Sequence, residues 1–238
     1  MRYLDVAEAL RSEIADGATG ALRSEAELGE RHHVSRVTVR RALELLRNEG
    51  LLTSRRGAGW FVATDPVRQP LGRVTTIESA LEAAGAKPER RVLEFGFEPA
   101  APDVAKVLDL AADAEVLRVM RLNLADNEPF ALVTVWLPAT LGKHVSRADV
   151  ERATFYDLLP LHGVEAGRVV QTITATTAAR DEARRLGGHE GDPLLACRRV
   201  TYDRNGAAVM VSEHRYPAQS TALEVEFPAP HPSGVRHG

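Results

Sequence analysis

One cysteine in 238 residues, Cys197, excludes an internal disulfide and any cysteine-rich metal site. It ends the apolar run Leu194-Leu195-Ala196-Cys197, which marks a buried thiol rather than a nucleophile. No stretch of about 18 apolar residues occurs, so no membrane-spanning helix and no membrane partner are expected. The first residues, MRYLDVAEALRSEIADG, alternate charge with apolar side chains. They lack the apolar core of a secretory signal, and a cytoplasmic location is the expectation. Repeats and low-complexity tracts are missing, as are the Gly-x-Ser-x-Gly and Walker patterns. Gly57-x-Gly59 begins like a dinucleotide fingerprint, but Val62 stands where the third glycine belongs. His32-His33 has neither the spacing nor the companions of a metal site, and no metal or cofactor is expected.

The net charge is small, at −3, but charge is unevenly placed. Residues 1–30 carry three arginines against seven acids, and residues 31–62 carry seven arginines against two acids. The second stretch concentrates positive charge where a polyanion can dock, or forms a solvated patch; charge alone does not separate the two.

Periodicity supplies the local structure. Leu4, Ala7, Leu10, Arg11 and Ile14 step at helical spacing, with Gly17 and Gly20 closing that helix. Ser24 is a good N-cap for a second helix over 25–32, and Ser35 for a third over 36–48, which Gly50 stops. Val39, Ala42, Leu43 and Leu46 share the inward face of the third helix. Two β-prone stretches, 51–55 and 60–63, flank Arg56-Gly57-Ala58-Gly59, a hairpin turn. Three helices followed by a hairpin is the winged-helix order, in a domain over 1–63. The polar, proline-containing segment 64–70 reads as a linker.

Beyond it the pattern is mixed. Helices are expected at 76–84, 101–109, 154–161 and 179–187. Strands are expected at 91–98, 115–125, 129–137, 167–177, 193–203, 207–216 and 222–227. Hairpin signals at Ala125-Asp126-Asn127-Glu128 and Asp203-Arg204-Asn205-Gly206 imply one antiparallel sheet, and hence an α+β chain. A tail over 229–238, rich in Pro, Gly and His, is expected to be disordered.

On the third helix Arg36 and Arg40 lie four residues apart on one outward face, with Val37 and Thr38 beside them. The N-terminal part of such a helix is what enters the major groove. Arginine there can grip guanine O6 and N7, and Thr or Val can touch a thymine methyl. Ser35 and the helix N-terminus suit a phosphate. Arg55 and Arg56 on the wing could reach the DNA backbone. A pairing of Arg40 with Glu44 would instead make this an ordinary solvated face.

Residues 3–63 resemble the N-terminal domain of the GntR family of bacterial regulators. The resemblance rests on Leu22-Arg23-Ser24-Glu25-Ala26-Glu27-Leu28, on Val34-Ser35-Arg36-Val37-Thr38-Val39-Arg40-Arg41-Ala42-Leu43-Glu44-Leu45-Leu46, on Glu49-Gly50, and on Gly57-Ala58-Gly59-Trp60-Phe61-Val62. Arg23 replaces the family's usual Pro, Trp60 its usual Thr, and Ala26 an arginine that some members use on DNA. The resemblance implies DNA contacts from Ser35, Arg36, Thr38, Arg40, Arg56 and Gly57, with Val37 at a position that varies with operator preference.

Residues 71–228 resemble the UTRA effector domain of the HutC subfamily, which implies a chorismate-lyase-like antiparallel-sheet fold, effector binding and dimerisation. The features are Arg121 to Pro129, Trp136-Leu137-Pro138, Thr154 to Leu159 and Tyr202 to Gly206. Aminosugar-phosphate-binding relatives hold their ligand with an Arg-x-Arg pair, a Ser-x-Tyr, two glutamates and a Tyr. Arg121, Thr154, Tyr156 and Tyr216 match that pattern; Asn123 replaces the second Arg, and Val133 and Met210 replace the glutamates. A helix N-terminus near Thr76 would add a site for an anion, although Glu78 opposes it. The expected effector site is Thr76, Arg121, Asn123, Thr154, Tyr156 and Tyr216. The expected ligand is a small anion, phosphate- or phosphonate-related rather than an aminosugar phosphate. The expected protein is a homodimeric repressor on a palindromic double-stranded DNA operator, with no catalytic residue. A chorismate-lyase-like enzyme and a ligand-binding protein that ignores DNA are the competing readings; turnover of a candidate substrate would mark the first, and absence of salt-dependent promoter binding the second.

Overall fold

A computed structural model of the chain describes residues 3–18, 21–55, 59–63, 66–71 and 76–226. The first three helices are α1 (Tyr3–Ala15), α2 (Glu25–His32) and α3 (Arg36–Asn48). Ser24 caps α2 in a capping box with Glu27, and the Ser35 hydroxyl accepts the Thr38 N–H at the start of α3. His33 makes the turn between them in the left-handed region, at φ 53°. Val6, Ala7, Leu10, Leu28, Val39, Ala42, Leu43 and Leu46 close a small core on which Leu52 and Val62 of the hairpin also pack. The hairpin is β1 (Leu52–Arg55) with β2 (Gly59–Val62), in antiparallel register. Leu22 N–H donates to the Trp60 carbonyl at 2.7 Å, which ties the wing to the segment before α2. Two ion pairs brace the helices. Arg11 of α1 grips Glu49 after α3 with N–O distances of 2.9–3.2 Å, and Arg31 of α2 meets Glu13 of α1 at 2.6 Å.

The segment expected as a linker holds a strand, β3 (Val67–Pro70). Its partner comes from far along the chain and is described below. Then come α4 (Ile77–Ala83), β4 (Pro88–Pro99), α5 (Pro102–Val107), β5 (Glu115–Ala125), β6 (Glu128–Pro138), α6 (Ala139–Gly142), α7 (Arg147–Arg152), α8 (Phe155–Leu161), β7 (Ala166–Thr177), α9 (Arg180–Leu186), β8 (Pro193–Asp203), β9 (Ala208–Pro217) and β10 (Thr221–Glu224). Six strands form one antiparallel sheet in the order β4-β5-β6-β9-β8-β7. β10 does not join it. It pairs with β3 in parallel, Thr221 beside Val67 and Glu224 beside Pro70. A buried Gln69 in β3 is the cue that this polar stretch is structure and not tether. The short helices α6 and α7 carry no hydrophobic period long enough to read from sequence. The expected disordered tail lies outside the described residues, as do Arg56 and Gly57.

Strand alternation divides the sheet cleanly. Leu117, Val119, Val133, Val135, Cys197, Met210 and Tyr216 face one side, where they pack with Ile77 and Leu81 of α4, Val150 of α7 and Phe155, Leu158 and Leu159 of α8. Leu122, Leu124, Leu132 and Leu194 face the other side against Ala183 and Leu186 of α9, and Val116 and Val211 meet Val104 of α5. Arg121 and Asn123 share the parity of Val119. They therefore point into the first face, where apolar side chains would be expected.

Candidate functional sites: a nucleic-acid interface and a buried arginine pocket

On α3, Arg36, Val37, Arg40 and Arg41 are exposed, Val37 at 70%. A valine so placed on a helix with a complete apolar face elsewhere is available to a partner. Ser35 and Thr38 are partly committed, since their hydroxyls lie 2.9 Å apart and the Ser35 oxygen caps the helix. Arg40 is paired, but with Glu25 of α2 rather than with Glu44: Nε donates to Oε1 at 3.0 Å and Nη2 to Oε2 at 2.8 Å. Trp60 Nε1 donates to the same carboxylate at 3.3 Å. The hydrogen bonds from Arg40, and the weaker one from Trp60, outweigh partial burial and hold the Glu25 carboxyl below its ordinary range.

The second site lies on the first face of the large sheet. Register builds its floor. Arg121, Val133 and His214 stand opposite one another across β5, β6 and β9, and Val135, Ser212 and Arg199 form the next row across β6, β9 and β8. Glu78 from α4, and Thr154, Phe155 and Tyr156 from the start of α8, close over this floor around a cavity of about 40 Å³. That is room for a few waters or one small oxyanion group.

Five of the six expected effector residues, Thr76, Arg121, Asn123, Thr154 and Tyr156, line this one cavity. Tyr216 does not. It is fully buried on the same face beside the floor, its OH 3.2 Å from His214 Nδ1 and its ring edge-on against Phe130. Thr76 and Thr154 use their hydroxyls as helix caps, and Thr154 Oγ1 donates to Asp157 Oδ2 at 2.6 Å. Tyr156 OH lies 3.2 Å from Thr201 Oγ1. Val133 and Met210 line the cavity where glutamates would be needed for a sugar.

Arg121 is 7% exposed, and its Nε and Nη1 find no hydrogen-bond partner among the described residues. Burial, then the nearby charge of Arg90, pushes its pKa down to about 10, against a smaller pull upward from Glu78. It remains a cation at neutral pH, in a place where an unpaired charge is costly. Asn123 Nδ2 donates to Glu78 Oε1 at 2.9 Å, while its Oδ1 is left without a partner. Glu78 is held chiefly by Arg90, whose Nε donates at 3.0 Å and whose Nη1 donates to the Ala153 carbonyl at 2.6 Å. Burial pushes the Glu78 carboxyl up, and Arg90 overcomes this and leaves it below the ordinary range. His214 is held well below its ordinary pKa by burial first and by the charges of Arg199 and Arg121 next. It is a neutral imidazole whose Nε2 lies 3.1 Å from Ser212 Oγ.

Arg90 escaped the sequence reading, which took Glu78 only as a residue opposing an anion, and so did Arg199, Ser212 and His214. Their signal was present. In Cys197-Arg198-Arg199 and Met210-Val211-Ser212-Glu213-His214, polar residues occupy the parity that Cys197 and Met210 fix as inward. A polar side chain on the core side of a strand is the mark of a site. The expected buried thiol is seen: Cys197 is 1% exposed, with its pKa raised by burial.

A winged helix-turn-helix joined to a sheet domain with a cationic pocket defines a DNA-binding regulator class. The sequence matches the bacterial regulatory proteins of the gntR family over residues 2–62 and the UTRA domain over residues 83–222. The chain belongs to the GntR family, in the branch that carries a UTRA domain. It is 37% identical to an HTH-type transcriptional regulator of Mycobacterium tuberculosis, over 88% of this chain and 80% of that one. It is 28% identical to the HTH-type transcriptional repressor NagR of Bacillus subtilis, over 87% and 86%. The crystal structure of PhnF from Mycobacterium smegmatis superposes with a TM-score of 0.64 at 27% identity, covering 94% of this chain and all of that one. These relatives are regulators of transcription and not enzymes, so the chorismate-lyase-like fold carries no lyase chemistry here.

Proposed function

We propose that the chain is a repressor that binds a palindromic operator as a homodimer and is controlled by a small oxyanion bound at Arg121. Arg36, Thr38 and Arg40 read bases in the major groove, Val37 adds an apolar contact, and Ser35 faces a phosphate. Arg56 and Gly57 of the wing complete the contact set. The domains are a DNA-binding head over 1–63 and an effector and dimerisation domain over 71–228.

One observation carries the effector reading. A buried arginine with two N–H groups unpartnered among the described residues faces a cavity lined also by Arg199, Ser212, neutral His214, Asn123 and the Glu78 carboxylate, which Arg90 engages. Arg199 supplies from β8 the second cation that Asn123 removes from β5. With Val133 and Met210 on the remaining wall, a phosphate or phosphonate group fits the lining better than an aminosugar. The repressor sense is carried over from NagR, which is named a repressor.

Dimerisation is supported by β7. This twelve-residue strand is an open sheet edge, and all its residues but Val169 and Gln171 are exposed. An edge so long, with Val170 and Ile173 bare, invites a second strand, and a second copy of the chain supplies one.

The test is a promoter fragment titrated with the chain, followed by phosphorylated and phosphonylated metabolites. One of these releases the wild-type protein. Arg121→Ala binds the fragment with unchanged affinity and ignores the ligand. Loss of fragment binding by Arg121→Ala would instead give Arg121 a structural role.

A further inference from the structure

Arg40 is engaged on one edge of its guanidinium only. The Nε and Nη2 contacts to Glu25 are a side-on pair, which consumes the Nε hydrogen and one hydrogen of Nη2. The other edge, Nη1 with the outer hydrogen of Nη2, is the end-on fork, and the Arg40 side chain remains 62% exposed. Two parallel N–H groups on that edge match the O6 and N7 acceptors of guanine.

Glu25 is itself fixed from two sides. It is the first residue of α2, whose start is locked by the Ser24 capping box, and its carboxylate accepts the indole N–H of Trp60 from the wing. The wing strand is anchored in turn, since the Trp60 carbonyl accepts the Leu22 N–H. One carboxylate, 22% exposed, thus joins the helix that precedes the recognition helix, the recognition helix and the wing. Without it a long arginine side chain would sample many rotamers and lose that freedom on binding.

We infer that Glu25 and Trp60 are positioning residues for base reading: they hold Arg40 with its end-on edge presented to DNA, so that specificity at one base pair depends on the wing indole. The inference rests on the reading of Arg40 as a base contact. Trp60 stands where the resembling family usually has Thr, whose short side chain carries no indole N–H to offer Glu25.

The test uses the full-length protein and the duplex it selects from a randomised pool. Affinity is measured for that duplex, for its single-base variants and for an unrelated duplex at one salt concentration. Arg40→Ala first identifies the base pair at which discrimination is lost. Trp60→Phe keeps the ring and the charge; it weakens selected-site binding by about threefold to tenfold, relaxes discrimination at that same base pair and leaves unrelated DNA unchanged. Glu25→Gln removes a negative charge that faces the polyanion; it tightens binding to unrelated DNA while relaxing the same base pair. Should Glu25→Gln fail to fold, Trp60→Phe decides alone. The inference is overturned if Trp60→Phe discriminates as the wild type does, or if it weakens selected and unrelated DNA equally, as a purely structural role requires. If Arg40→Ala relaxes no base pair, the reading of Arg40 falls and takes the inference with it.

Discussion

The guanidinium of Arg121 lies over the ring of Phe155, 5.2 Å from its centroid, while its Nε and Nη1 hydrogens meet no acceptor. The aromatic face offsets part of the cost of burying the charge. The rest is left uncompensated among the described residues. Arg121→Met removes the charge and keeps much of the volume. Its unfolding free energy rises by about 1–3 kcal/mol, and phosphate no longer raises its melting temperature. Thermal unfolding with and without inorganic phosphate reads both effects, and a less stable Arg121→Met would mean that the charge is already satisfied.

Glu78 brings a carboxylate to the mouth of the same cavity, hydrogen-bonded by Asn123 and Arg90. Its charge opposes the anion proposed to bind at Arg121. Glu78→Gln therefore binds inorganic phosphate about tenfold more tightly, close to 1.4 kcal/mol. Calorimetric titration gives the value, and an unchanged or weaker affinity would show that Glu78 matters through its hold on Arg90.

The proposed dimer rests on the open edge of β7. Ile173→Glu places a charge on a strand that would otherwise pair with a second copy. The expected result is a wild-type mass of about twice 25.9 kDa by light scattering, with the variant at the monomer mass and weaker on a palindrome. A variant that stays dimeric moves the interface elsewhere.

His214 gives the fold an acid limb. In the folded chain burial keeps the imidazole neutral to well below its ordinary 6.5, whereas in the unfolded chain it takes up a proton as pH falls through that value. The folded state then binds fewer protons than the unfolded state, so stability falls with acidification, by up to about 1.4 kcal/mol per pH unit. Chemical denaturation between pH 7.5 and about 5 should show a shallower decline for His214→Gln. Parallel declines would mean that His214 protonates without resistance.

The head was legible because its rules are local. Ser24 and Ser35 announce α2 and α3 by cap chemistry, and Val39, Ala42, Leu43 and Leu46 announce the inward face by spacing. The structure places α2 and α3 over 25–32 and 36–48, as the caps required. The Glu25 partner of Arg40 was not legible, because a residue fifteen positions away on another helix leaves no trace in sequence spacing. The pocket was half legible. Arg121, Asn123, Thr154 and Tyr156 belong to compact patterns, but Arg199 reaches the cavity through sheet order, with β9 lying between β6 and β8. Strand β3 was hidden for the same reason: its hydrogen-bonding partner lies more than 150 residues downstream.

That remote pairing shortens the leash on the DNA-binding head. Seven residues of free tether, 64–70, would let the head wander over about 25 Å. With Val67 to Pro70 paired to β10, only three residues of sequence, 64–66, separate that strand from the head, at most about 10 Å of chain. The volume each head can search shrinks roughly as the cube of that ratio. In a dimer the two heads would then be held at a nearly fixed separation, and the length of DNA between the half-sites becomes a property of the sheet domains rather than of the helices that read it.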